Sequence, residues 1–162
     1  MVLILIAALV AAPVAAKPAC PSPATPPAAP WNAWSNAGAA GPDLVVGRPR
    51  DMPVAAVANV RLAVQPSRPL SGSYLATGSF VVRQAGTYRV AAGGVAAPIR
   101  PLWLDIAGAD RKPLVAAGHG HGPDCTSITK VVEYRLTPGR YTLLATGLTT
   151  DAPIRVLILA DR

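Results

Sequence analysis

From residue 44 onward, apolar and polar positions alternate in short runs. Val60, Leu62 and Val64 alternate with Asn59, Arg61 and Ala63, and Pro66 ends the run. A two-residue period puts alternate side chains on one face and predicts a half-buried β-strand. Tyr74, Ala76, Phe80 and Val82 continue the pattern, with a break at Gly78. Gln84-Ala85-Gly86 reads as a turn, and Tyr88 and Val90 start the next strand, so residues 80–90 predict a hairpin. Leu102, Leu104 and Ile106 alternate with Trp103 and Asp105, and Leu114-Val115 begins a short strand. Lys130, Val132, Tyr134 and Leu136 alternate with Val131, Glu133 and Arg135. In Thr137-Pro138-Gly139-Arg140, Pro and Gly hold the two central positions, which predicts a type II turn before a return strand of Tyr141, Leu143 and Ala145. Residues 154–160 are almost continuously apolar and predict a central strand. No stretch predicts a helix. The expected fold is all-β: an antiparallel β-sandwich of jelly-roll or Greek-key type, occupying residues 44–162.

The start of the chain departs from that alternation. MVLILIAALVAAPVAA is an apolar run followed by small residues, the pattern of a secretory signal segment over residues 1–16 with cleavage after Ala16. No Lys or Arg precedes the run, and it is shorter than the ~20 apolar residues a membrane span needs. Residues 17–43 then read as a Pro/Ala-rich strap that includes the pair Trp31 and Trp34. Six of the fourteen residues from Lys17 to Pro30 are Pro, which favours extended polyproline II and blocks helix. Two Trp three residues apart share a face in a helical turn, where they either plug the core or stack on a ligand. The expected destination is periplasmic or secreted, with no transmembrane span after signal removal.

Export changes what the two cysteines mean. In an oxidising compartment Cys20 and Cys125 are expected to pair. Charge adds less. Lys plus Arg is 15 against 8 Asp plus Glu, a formal net charge of +7, but the basic residues are dispersed and never run beyond two. Nucleic-acid binders cluster such charge, so no nucleic-acid partner is expected.

Candidate chemistry concentrates in one segment, Gly118-His119-Gly120-His121-Gly122-Pro123-Asp124-Cys125, which holds both histidines of the chain. Residues i and i+2 of an extended segment point to one side. His119 and His121 could therefore face one ion, with Asp124 as third ligand; iron, copper or zinc would suit such a set. The rival uses of the segment are a structural loop pinned by the disulfide, and a contact made by the imidazoles to a non-metal ligand. Elsewhere no cofactor is expected and no catalytic constellation stands out. Ser71, Ser73, Ser79 and Ser127 lack a nucleophile-elbow context. Asp105 and Glu133 read as outward strand residues satisfied by Arg.

The segment HGHGPDCTSITKVVEYRLTPGRYTL, with AGTYRVAAG and LWLDI, resembles a group of small exported bacterial proteins with the pattern HGHGPxCxxIxKxVxxxLxPGRY. The likeness covers roughly residues 74 to 159 and is most specific from His119 to Tyr141. It implies an exported β-sandwich with a Cys-pinned HGHG loop. Some members of the group carry the name homogentisate 1,2-dioxygenase, which implies a cupin-type iron site. Here His119 and His121 would be its imidazoles, and Asp124 or Glu133 its carboxylate. Two functions follow as expectations. One is a non-catalytic protein of ligand-binding or purely structural envelope-accessory type, its partner a small ligand, a glycan or an envelope protein, with Trp31, Trp34 and Trp103 as candidate stacking residues. The other is a metal-binding protein or metal-dependent oxygenase using His119, His121 and a carboxylate.

Overall fold

The computed structural model describes Cys20, residues 27–70 and residues 72–161. The expected signal segment and strap residues 17–19 and 21–26 lie outside the described residues. The strands are β1 (Ala39–Ala40), β2 (Arg50–Met52), β3 (Ala55–Ala56), β4 (Tyr74–Val82), β5 (Gly86–Gly94), β6 (Trp103–Ala107), β7 (Gly118–Gly120), β8 (Ile128–Leu136), β9 (Gly139–Leu148) and β10 (Ile154–Ala160). They form two packed sheets, one ordered β1-β2-β10-β5-β8-β7 and the other β3-β4-β9-β6. The protein is a β-sandwich, and β10 lies inside its sheet as its continuous apolar run requires. From β4 to β7 and from β8 to β10, each connection changes sheet, which is jelly-roll winding. Among the described residues, no helix is long and apolar enough to cross a membrane.

Alternation along the strands builds the core between the sheets. Phe80 and Val82 of β4, Val90 of β5, Leu104 and Ile106 of β6, Val132 and Tyr134 of β8, Leu143 of β9 and Val156 and Ile158 of β10 all point into it. The opposite faces are covered as well. Trp31 and Trp34, around the short 3-10 turn Asn32–Ser35, pack on Ala91, Ile128, Val131 and Leu157 outside the first sheet. Val57, Val60, Leu62 and Val64 pack on Leu75, Ala107 and Leu144 outside the second. Residues 60–64 are therefore a covering segment rather than the expected strand. Their alternation is real, but it serves a face that already has its ladder, not a free strand edge. The expected strand at Leu114-Val115 is absent too, and Val115 is 93% exposed.

Two expected hairpins become corners between sheets. β4 and β5 flank Gln84-Ala85-Gly86 yet lie in different sheets, and so do β8 and β9 on either side of Thr137-Pro138. The corners stack on each other, because β4 pairs antiparallel with β9 and β5 with β8. Their registers mirror one another: Val82 pairs with Gly139, and Gly86 with Leu136. A tyrosine two residues beyond each glycine ties its corner. Tyr88 Oη donates to the Gln84 carbonyl at 2.8 Å, and Tyr141 Oη to the Thr137 carbonyl at 2.9 Å. Gly139 does not take the positive φ that the expected type II turn requires. Alternation cannot separate a hairpin from a corner, because both present one apolar face to the same core.

Candidate functional site at the open edge of the sandwich

The HGHG segment starts in an edge strand and leaves it after Gly120 as a loop. Gly118–Gly120 (β7) pairs antiparallel with β8, matching Gly118 to Glu133, His119 to Val132 and Gly120 to Val131. This register splits the proposed metal ligands. His119 shares the inner side with Val132, a core residue. Glu133, opposite Gly118, lies on the other face of the sheet, so it cannot join His119 around one ion. His121 falls beyond the end of β7, where its Nδ1 meets the Thr129 carbonyl at 3.1 Å. Asp124 follows in the connection to β8, and Cys125 is committed to the disulfide with Cys20. Among the described residues, no three His, Cys, Asp or Glu side chains are grouped to hold a metal. The expected His119, His121, Asp124 set is therefore not assembled. The i, i+2 argument does not hold here, because β7 ends between the two histidines and His121 bonds to the Thr129 carbonyl while His119 lines the cleft.

The connection from β7 to β8 is held in three ways. The Cys20–Cys125 disulfide, with Cα atoms 5.1 Å apart, ties it to the N-terminal strap. Thr126 Oγ1 donates to the Pro123 carbonyl at 2.8 Å. At Gly122 a Cβ would lie 2.3 Å from Ile128 Cβ, so only glycine lets the chain cross β8 there.

Because β7 joins β8 rather than β6, the two sheets do not close along this edge, and a cleft of about 420 Å³ opens between them. Trp103, Leu104 and Asp105 of β6 form one wall, and Lys130, Val132 and Tyr134 of β8 with His119 form the other. Ser67 and Arg68 and the segment 113–116 complete the rim. Tyr134 Oη donates to the Leu104 carbonyl at 3.2 Å and so stitches the gap at its floor. Burial, with the nearby charge of Asp105, pushes the Tyr134 phenol well above its ordinary range, so it stays a neutral donor. Asp105 is 9% exposed and fully engaged. Its Oδ2 accepts from the Ser67 N–H at 3.1 Å and its Oδ1 from Ser67 Oγ at 2.5 Å, so its partner is Ser67 rather than the expected Arg.

The three tryptophans take different places. Trp31 and Trp34 are buried under the outer face of the first sheet, and Trp34 Nε1 donates to Ser127 Oγ at 3.0 Å. Their rings plug that face rather than the cleft. Trp103 stands half-buried in the cleft wall. Gly147, at φ 84°, makes room for it, since a Cβ there would lie 3.0 Å from Trp103 Cδ1. The Arg68 guanidinium lies 4.2 Å from the Trp103 ring centroid and the Lys130 ammonium 5.5 Å. Sequence reasoning missed Arg68, Lys130 and Tyr134; Arg68 lies far along the chain from the two β8 residues and meets them only through the sandwich. Compared with known proteins, no family model matches the chain and no curated protein matches it.

Proposed function

We propose that this is an exported, non-catalytic β-sandwich that binds a small ligand or glycan in the cleft between β6 and β8. One observation carries the reading. The cleft gathers an indole, two cations, an imidazole and a hydroxyl from both sheets and the segment before β4, within the roughly 300–1,000 Å³ typical of small-molecule sites. Export is supported by the Cys20–Cys125 disulfide, since such bonds persist in oxidising compartments. The likeness of residues 119–141 to exported HGHGPxC proteins agrees with it.

The test is a screen of small glycans and envelope fragments against the full chain, read by tryptophan fluorescence. A true ligand weakens about tenfold or more in Trp103→Ala, the usual scale for a buried aromatic anchor. Hits that bind Trp103→Ala and His119→Ala as well as the parent count against the cleft. Metal content is measured alongside. Stoichiometric iron, copper or zinc that disappears in the His119→Ala, His121→Ala double variant would overturn the non-catalytic reading.

A further inference from the structure

The cleft also carries a statement about charge, which rests on the proposed binding function. Among the described residues, two arginines are paired with carboxylates. Arg155 pairs with Asp51 through two hydrogen bonds, and Arg89 pairs with Asp161. Arg68 and Lys130 make no ion pair among the described residues, and the cleft brings both to one ring, that of Trp103. A ring orders a cation without cancelling its charge. Asp105 is the one carboxylate lining the cleft, and both its oxygens are taken by Ser67. The cleft therefore holds two positive charges against one carboxylate that is already hydrogen-bonded to Ser67, a net positive lining. A guanidinium fork and an ammonium that both reach one indole in a cleft suit an oxyanion, which each can bind through short charge-assisted hydrogen bonds.

We infer that the cleft takes an acidic saccharide, with its carboxylate received between Arg68 and Lys130. Several features favour a saccharide over a flat anionic surface. The space is a concave groove of about 420 Å³, not a convex patch. Beside the cations it offers the Ser67 hydroxyl and the His119 imidazole, groups that suit sugar hydroxyls. Leu114 and Val115 on the rim supply apolar contact for a ring face.

Microcalorimetry on the full, disulfide-bonded chain tests this with two probes of one shape, trigalacturonate and its methyl ester. Trigalacturonate is expected to bind, more weakly as salt rises, and the uncharged ester at least about tenfold more weakly. Arg68→Gln and Lys130→Gln should each weaken trigalacturonate about tenfold or more, the scale of one charge-assisted hydrogen bond. Arg135→Gln removes the same charge from an exposed site outside the cleft and should bind like the parent. Equal binding of acid and ester overturns the charge inference while leaving a ligand-binding cleft in place. An Arg135→Gln loss equal to that of Arg68→Gln overturns it in favour of diffuse attraction. Inorganic phosphate or vesicles of anionic phospholipid that bind through Arg68 and Lys130 while trigalacturonate does not would assign the cations to another oxyanion. Absence of trigalacturonate binding overturns the proposal outright.

Discussion

Arg155 joins three parts of the molecule that are distant in sequence, and its removal has a calculable cost. It lies in β10 at 8% exposure. Nε donates to Asp51 Oδ1 at 2.7 Å, Nη2 to Asp51 Oδ2 at 2.9 Å and Nη1 to the Trp34 carbonyl at 3.1 Å. The side chain thus links β10, β2 and the tryptophan plug. Hydrogen bonding to Asp51 raises the already high pKa of Arg155, so its charge persists at any working pH. Arg155→Met removes all three bonds and leaves the Asp51 carboxylate, 19% exposed, without its counter-ion. Breaking a buried pair from one side costs roughly 3–5 kcal/mol. Asp51 keeps some water, so the loss should fall near the low end, about 3 kcal/mol. Asp51→Asn leaves the guanidinium charge uncompensated and should cost somewhat less. The double variant should cost clearly less than the sum of the two, by about 1–2 kcal/mol, because the second substitution removes a charge that the first had stranded. Urea denaturation of the four proteins at neutral pH, followed by tryptophan fluorescence, measures the cycle. An Arg155→Met loss below about 1 kcal/mol, or strictly additive single losses, would refute the claim that this pair is a coupled, desolvated unit.

Other expectations follow from the same structure. Replacing Cys20 and Cys125 together by Ser frees a closed loop of 105 residues, so by chain entropy it should cost about 4–5 kcal/mol; a thermal-unfolding shift of only a degree or two would contradict this. Tyr134 gives a pH dependence. Its folded pKa lies above the unfolded value of about 10, so above that pH the unfolded chain releases the proton first and stability falls, by roughly 1 kcal/mol at pH 11. Denaturation at pH 8 and pH 11 should show this loss in the parent and a smaller one in Tyr134→Phe; equal losses would sink the assignment. Of the two corner tyrosines, Tyr141 should matter more, because its hydroxyl also accepts from the Thr137 N–H at 3.2 Å. Tyr141→Phe should cost about 1–3 kcal/mol and Tyr88→Phe about 0.5–1.5, and the reverse order in thermal unfolding would count against the corner geometry.

The sequence by itself determined that this chain is a β-sandwich and which side chains fill it. Phe80, Val132, Tyr134 and Leu143 declare the core by their two-residue period, because that period is a local property of extended chain. The pairing of Cys20 with Cys125 was also legible, since only two cysteines exist. What the tertiary structure alone decided is which strands are neighbours. Residues 80–90 and 134–143 have the same alternation as hairpins, yet each turns from one sheet to the other, because burial rewards a face and is indifferent to which edge supplies the hydrogen bonds. The same indifference hid the function of residues 60–64, which cover a sheet they do not extend. It also misplaced the chemistry. His119 and His121 looked like a pair because they are close in sequence, but the strand ends at Gly120, leaving His119 on the cleft and His121 on the Thr129 carbonyl. Arg68, Trp103 and Lys130 gave no local sign of belonging together. They meet because β7 pairs with β8 and leaves β6 as an edge strand, met there only by the short bridge at Pro113–Leu114, a choice made by packing between segments that the chain keeps far apart.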